Sequence, residues 1–148
     1  MRPTWLYRLA AVLLVLFAFG HTVGFRQVDP SWGIDAMVAQ MKGMSFHVQG
    51  MRRTYWDFFV GFGLFVSILQ LFAAVVAWQL AGLDPPTLKR LPQIRWGFAL
   101  AFAGVAGLSW LYFFPVPLVF SLAITLCLVL AAYFGARPPA GHDTLHAD

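Results

Sequence analysis

Four long apolar segments, separated by polar stretches, make up most of this chain. They fall at about residues 6–25, 55–80, 96–114 and 117–136. A helix rises about 1.5 Å per residue, so each segment is long enough to cross a hydrocarbon core of about 30 Å. The pattern predicts an all-α fold: one membrane domain, a four-transmembrane-helix bundle. It also predicts a long structured extracytoplasmic loop at 26–54 and a tail at 137–148.

The second apolar segment has a start signal and two distinct faces. Thr54 and Asp57 have the spacing of a capping box, in which each side chain satisfies the other residue's backbone N–H. Small and polar side chains favour contact between helices in lipid, so we expect their line to face inward and the large apolar line to face lipid. The inward line comprises Gly63, Ser67, Gln70, Ala74, Ala77 and Ala81, and the outward line comprises Phe65, Leu69, Phe72 and Val76.

The third and fourth segments come from one uncharged run that Pro115 and Pro117 interrupt. Two prolines disfavour a continuous helix and predict a tight reversal between two short spans. Small residues with one terminal aromatic share a face of the third span, and we expect this face to contact other helices. These residues are Ala99, Ala103, Ala106, Gly107 and Trp110.

The loop at 26–54 is too long for a simple connection, which predicts structure or function within it. Asp29-Pro30-Ser31 indicates a turn, and apolar residues then recur at helical spacing. A short amphipathic helix is expected from about Gly33 to Lys42, followed by a break at Gly50.

Composition supports the membrane assignment and gives an orientation. The chain is 60% hydrophobic and 11% charged, with a formal net charge of +4. Lys and Arg flank apolar segments, so no nucleic-acid partner is predicted. The N-terminal side of the membrane holds Arg2, Arg8, Lys89, Arg90, Arg95 and Arg137, against Arg26, Lys42, Arg52 and Arg53 on the other. This excess favours cytoplasmic termini. Trp5 and Tyr7 are expected to anchor the first span at the interface and Phe25 extends its hydrophobic length, which favours an uncleaved first span, with a cleaved signal peptide as the alternative.

Polar and aromatic residues are expected to converge at the outer end of the bundle. They come from the ends of three spans and from the loop, and a loop covering them would create an apolar pocket with a few polar groups. The candidate ligand-binding residues are His21, Arg26, His47, Tyr55, Trp56, Asp57, Gln70, Trp110 and Tyr112. Purely structural roles are the competing interpretation: a helix cap for Asp57, and hydrogen bonds to neighbouring helices for His21 and Gln70.

No metal or cofactor is predicted. Four methionines and His47 lie in the outer loop, and thioether sulfur suits Cu(I), but Met also fills irregular apolar contacts. Haem ligation by His21 and His47 lacks an attachment motif. His142 and His146 have helical spacing in the tail, where no helix is expected to hold them.

Three fragments carry a family resemblance: residues 20–26 (GHTVGFR), 29–33 (DPSWG) and 55–65 (YWDFFVGFGLF). They resemble a family of small bacterial four-helix integral membrane proteins, known by a leptospiral locus-tag name and without an assigned function. The resemblance implies a multi-pass protein of the bacterial inner membrane with an uncleaved first span. It implies no reaction.

These observations favour a non-enzymatic protein that binds an apolar ligand, of lipid or quinone type, between helices at the outer end. One alternative is an integral-membrane enzyme in which His21 and Asp57 exchange a proton with a lipid-like substrate. Another is an accessory subunit whose small-residue faces contact a partner membrane protein or a second copy of the chain.

Overall fold

A computed structural model describes residues 3–135 of the chain. Within this range there are six α-helices: α1 (Pro3–Gly24), α2 (Asp35–Gly43), α3 (Tyr55–Gly82), α4 (Pro85–Lys89), α5 (Pro92–Tyr112) and α6 (Pro115–Phe134). Two short strands, β1 (Ser45–Val48) and β2 (Met51–Thr54), and a 3₁₀ turn (Pro30–Trp32) complete the described elements.

The all-α class is confirmed, and α1, α3, α5 and α6 are each long and apolar enough to span a membrane. This is the character of a multi-pass membrane protein. The bundle arrangement and the extracytoplasmic side of the loop stay predictions. The predicted tail at 137–148 and its two histidines lie outside the described residues.

The loop between α1 and α3 is more ordered than the sequence predicted. Asp29 Oδ1 accepts a hydrogen bond from Ser31 N–H at 2.8 Å, which confirms the turn. The amphipathic helix is confirmed as α2. The β1–β2 hairpin was not predicted: Val48 pairs with Met51, and the turn residues Gln49 and Gly50 both have positive φ, at 50° and 80°. Positive φ at both central positions matches the right-handed twist of the flanking strands.

The chain divides into two compact units. The terminal unit comprises Met1–Leu13 and Ala74–Asp148, and the central unit comprises Leu14–Ala73. In the terminal unit α5 packs along α6. The buried stripe of α5 comprises Arg95, Ala99, Phe102, Ala106 and Ser109.

That stripe corrects the predicted small-residue face of the third span. Ala103 and Gly107 are exposed, and Trp110 is 74% exposed. The buried positions alternate in steps of four and three, which keeps one seam against a neighbouring helix. Phe102 and Ser109 lie on this seam, whereas Trp110 lies one position beyond it. Arg95 is also buried on the seam, which the sequence did not predict.

The two faces predicted for the second span are confirmed in α3. Ser67, Gln70, Ala74, Ala77 and Ala81 are all buried, whereas Phe65, Leu69 and Phe72 are more than 60% exposed. In α3 the small and polar side chains of the predicted line are therefore buried, and most of the large apolar ones opposite are exposed.

Candidate functional site

The start of α3 is held by the predicted capping box. Asp57 Oδ2 accepts a hydrogen bond from Thr54 N–H at 2.7 Å, and Asp57 N–H donates to Thr54 Oγ1 at 3.1 Å. The first N–H groups of a helix have no partner within the helix, so this reciprocal pair stabilises its beginning. Asp57 thus has a structural role as a cap.

One turn from the end of α1, His21 belongs to a small hydrogen-bonded group. Its Nδ1 lies 3.0 Å from Ser67 Oγ on α3, and Thr22 Oγ1 lies 2.8 Å from the same atom. Each hydroxyl also reaches a carbonyl of its own helix: Thr22 to Ala18 O at 2.7 Å and Ser67 to Gly63 O at 3.3 Å. Four oxygens and one ring nitrogen therefore share two hydroxyl protons and the imidazole proton.

The sharing couples the imidazole tautomer to the two hydroxyl groups. When Thr22 and Ser67 donate to their own helices, Ser67 Oγ is free to accept from His21 Nδ1–H. When Ser67 instead donates to Nδ1, the imidazole proton is on Nε2. His21 therefore links α1 to α3 in either state, which supports the structural interpretation of this residue.

Aromatic contacts continue from His21 toward the loop. Phe25 stacks on His21 with ring centroids 5.1 Å apart, and lies 5.8 Å from Phe59, whose ring is 5.3 Å from Trp56. Lys42 Nζ lies 4.4 Å from the centre of the Trp56 ring. This aromatic row ends on a cation–π contact that ties the last turn of α2 to α3.

Phe25 fits against α3 because Gly63 has no side chain. A Cβ at Gly63 would lie 2.6 Å from Phe25 Cδ2 and 2.7 Å from Cζ. These distances are well inside the 3.5–4.0 Å of ordinary carbon contact. Gly63 is therefore required for the close packing of the loop onto α3.

The hairpin contacts α3 through Phe46. Its ring lies 5.1 Å from Tyr55 and is stacked on Phe58 at 5.8 Å. His47 points away from these contacts, is exposed, and pairs in register with Arg52, whose Nε donates to Ser45 Oγ at 3.0 Å.

Beside the hairpin, a groove of about 260 Å³ runs along the first half of α3. Its lining comprises Arg53, Asp57, Phe58, Gly61, Phe62 and Phe65. Phe58, Gly61, Phe62 and Phe65 recur at i, i+3, i+4 and i+7, so they share one helix face. The absence of a side chain at Gly61 leaves the space between the rings, since nothing lies within 4 Å of a Cβ built there.

The groove and the predicted site share a single residue, Asp57. Four of the predicted residues instead build the packing around it: His21 and Trp56 belong to the aromatic row, Tyr55 contacts the hairpin, and Arg26 lies 5.3 Å over the Phe25 ring. Sequence reasoning missed the other five lining residues. The helical spacing of three phenylalanines around a glycine, directly after two arginines, was the available signal.

The last two predicted residues of the outer cluster, Trp110 and Tyr112, lie in the terminal unit. Both are about three-quarters exposed. Gln70 is buried in the central unit, but its Oε1 has no hydrogen-bond partner. The hydrogen bond from Gln70 to another helix therefore stays a prediction, and among the described residues it does not involve this carbonyl.

The described residues contain no group of three His, Cys, Asp or Glu side chains placed to hold a metal ion. No protein-family model matches the chain, and no curated protein or solved structure is similar to it. The family resemblance therefore stays a prediction.

Proposed function

We propose that this protein binds an amphiphilic molecule of lipid or quinone type, with its polar end at Arg53 and its apolar part in the groove along α3. The groove carries the proposal, because it combines an apolar floor with two charged residues, Arg53 and Asp57, at one end. Membrane lipid is the proposed partner. The groove replaces the predicted position between helices at the outer end, since it is lined by one helix and one strand.

The apolar part of the groove is suited to an acyl or prenyl chain. Phe58 and Phe65 are seven residues apart, which corresponds to about 10 Å along the helix axis. Phe62 and Phe65 are each 63% exposed, so their faces are open to an apolar partner. Burying such rings against a chain is favourable at roughly 25 cal/mol per Å² of apolar surface.

Arg53 favours a ligand with a negative headgroup. One backbone contact and one side-chain contact position its guanidinium. Nη1 donates to Arg52 O at 2.8 Å, and Nη2 lies 3.3 Å from Met51 Sδ. Arginine has five N–H donors, so others remain for a phosphate. Asp57 is next to it but is engaged by the capping box.

Filling the groove tests its apolar half. Gly61→Leu places a side chain where nothing lies within 4 Å of the Cβ, so the fold is expected to tolerate it. Gly104→Leu on α5 is the matched control, because its Cβ also meets nothing within 4 Å. Native mass spectrometry of the detergent-solubilised protein should show bound lipid lost from Gly61→Leu and retained in Gly104→Leu. Equal retention in both variants refutes binding in the groove.

The headgroup half is tested with neighbouring arginines. Delipidated protein is titrated with phosphatidylglycerol and with phosphatidylcholine. Wild type is expected to prefer the anionic lipid, Arg53→Gln to lose the preference by about tenfold, and Arg52→Gln to keep it, because Arg52 does not line the groove. An unchanged preference in Arg53→Gln contradicts the assignment of the headgroup.

The acid–base alternative has less support. Among residues 3–135, His21 is hydrogen-bonded to Ser67 and Asp57 to Thr54, and no hydrogen bond joins His21 to Asp57. The accessory-subunit alternative rests on no specific contact. We further propose the bacterial inner membrane, with cytoplasmic termini, as the location. The excess of basic residues near the N-terminal side supports this orientation.

A further inference from the structure

The terminal unit contains a buried arginine without a counter-charge among the described residues. Arg95, in the first turn of α5, is only 2% exposed, and its Nε and Nη1 atoms are buried without a hydrogen-bond partner. Tyr7 on α1 is completely buried, its hydroxyl also has no partner, and it is close enough to interact electrostatically with Arg95. In the part of the chain that the structure describes, three polar groups from two helices of the terminal unit therefore lack partners.

Unpaired buried polar groups lower the stability of the folded state unless a bound ligand supplies their hydrogen-bond partners. Burying an unpaired charge costs several kcal/mol, and each buried polar group without a hydrogen bond adds about 1–3 kcal/mol. Native proteins satisfy most of these groups, so a cluster of them needs a physical explanation.

The described part of the terminal unit supplies no carboxylate that is free to pair with Arg95. Within its described residues, the terminal unit has the basic residues Arg8, Lys89, Arg90 and Arg95 and a single acidic residue, Asp84. Asp84 is the N-cap of α4, where its Oδ2 accepts from Thr87 N–H at 3.2 Å. The local charge is therefore strongly positive, and the missing partner must be negative.

The end of α6 gives only partial compensation. A Cβ at Gly135 would lie 2.8 Å from Arg95 Nη1 and 3.1 Å from Leu88 Cδ2, so the guanidinium lies where α6 ends beside α4. A helix C-terminus has about half a negative charge. Nevertheless, neither Nε nor Nη1 donates a hydrogen bond to the helix carbonyls.

We infer that Arg95 and Tyr7 form a binding site for an oxyanion of the phosphate type. The guanidinium supplies the charge and N–H donors, and the tyrosine hydroxyl supplies a further donor. A lipid headgroup and free phosphate share this chemistry. The site is separate in sequence from the groove along α3, so it extends beyond the function proposed above.

The experiment measures thermal stability of the full chain in an uncharged detergent, by far-UV circular dichroism. One arm adds inorganic phosphate at constant ionic strength, with chloride as the reference, and the other adds phosphatidylglycerol against phosphatidylcholine. The lipid arm uses Gly61→Leu protein, because the open groove along α3 is also proposed to bind phosphatidylglycerol. A saturable rise in Tm is expected in one arm, since a ligand that binds only the folded state stabilises it. Phosphate alone being effective identifies a soluble anion, and phosphatidylglycerol alone being effective identifies a lipid headgroup. A saturable rise in neither arm overturns the proposal.

Three variants assign the effect to these residues. Arg95→Met should abolish the rise and, without anion, should be at least as stable as wild type, because it removes an unpaired buried charge. Arg90→Met, at the exposed residue directly after α4, should retain the rise. Tyr7→Phe removes only the hydroxyl and should weaken the apparent anion affinity by about tenfold.

The variants also distinguish binding from a purely structural role. If Arg95 only complements the dipole of α6, Arg95→Met lowers Tm equally with and without anion, which overturns the proposal. Should Arg95→Met fail to fold, Tyr7→Phe decides: unchanged affinity in that variant overturns the site. Groove variants such as Gly61→Leu should leave this response intact, so the two proposals fail independently.

Discussion

The packing of Phe25 against Gly63 allows a quantitative prediction with an internal control. Gly63→Ala would place a methyl group 2.6–2.7 Å from two ring atoms of Phe25. Ordinary contact begins near 3.5 Å, so the ring must move by about 1 Å. Gly61→Ala, two residues earlier on the same helix, meets nothing within 4 Å.

The expected magnitude follows from two terms. Replacing Gly by Ala in a helix contributes up to about 1 kcal/mol of stability through propensity, and this term is common to both variants. Overpacking costs about 1–3 kcal/mol and applies only to Gly63→Ala. Displacing the ring also weakens its stacking on His21 and its contact with Phe59. Gly63→Ala should therefore be less stable than Gly61→Ala by about 1–3 kcal/mol.

Reversible unfolding in mixed micelles, titrated with sodium dodecyl sulfate and followed by circular dichroism, measures this difference. A double-mutant cycle with Phe25→Ala identifies its origin, because removing the ring should abolish the penalty at Gly63. The reasoning is refuted if Gly63→Ala and Gly61→Ala have the same stability. It is equally refuted if the penalty at Gly63 persists without the Phe25 ring.

Three further predictions concern separate parts of the fold. Ser67→Ala removes the hydroxyl shared by His21 and Thr22. It should lower the free energy of unfolding by about 1–3 kcal/mol, because partly buried polar groups lose their partner. An unchanged free energy of unfolding would show that this contact does not stabilise the fold. Gly50→Ala places a side chain at a φ of 80°, and should destabilise the hairpin by about 1–2 kcal/mol; faster amide hydrogen exchange in β1 and β2 is the expected readout, and unchanged exchange contradicts it. The hydrogen bond from Thr87 holds the pKa of Asp84 below its ordinary value. The ionised carboxylate therefore stabilises the folded state above about pH 4, and this stabilisation is lost as pH falls through the lower folded-state pKa of Asp84. Asp84→Asn should therefore reduce the acid sensitivity of Tm, and an identical pH profile would argue against this role.

Local features of the chain could be predicted because neighbouring residues determine them. The capping box at Thr54 and Asp57 depends on a three-residue spacing, and the buried and exposed faces of α3 depend on a helical repeat. The turn at Asp29 depends on a short side chain next to Pro30. In each case the partners lie within a few residues, so their geometry follows from the helix or turn itself.

The candidate site was only partly predictable. The sequence directed attention to the start of α3, where the groove lies, but it selected conspicuous polar and aromatic residues as the lining. His21 is instead occupied by Ser67, a contact between residues 46 positions apart. The β1–β2 hairpin brings Arg53 beside the exposed phenylalanines, and its turn signal, Gln49-Gly50, is weaker than the usual Asn-Gly.

The sequence alone therefore determined four helices long and apolar enough to span a membrane, the two faces of α3 and the cap of α3, because length, period and short-range hydrogen bonding specify them. Only the tertiary structure decided which polar groups meet. It showed that Gly63 accommodates Phe25 and that Gly61 leaves a groove. It also showed that Arg95, which the sequence placed as a basic flanking residue, is buried beside Tyr7 without a partner. These outcomes depend on contacts between side chains from segments far apart in the sequence. A local sequence pattern does not specify which of these side chains meet, how much space remains between them or whether their charges are paired.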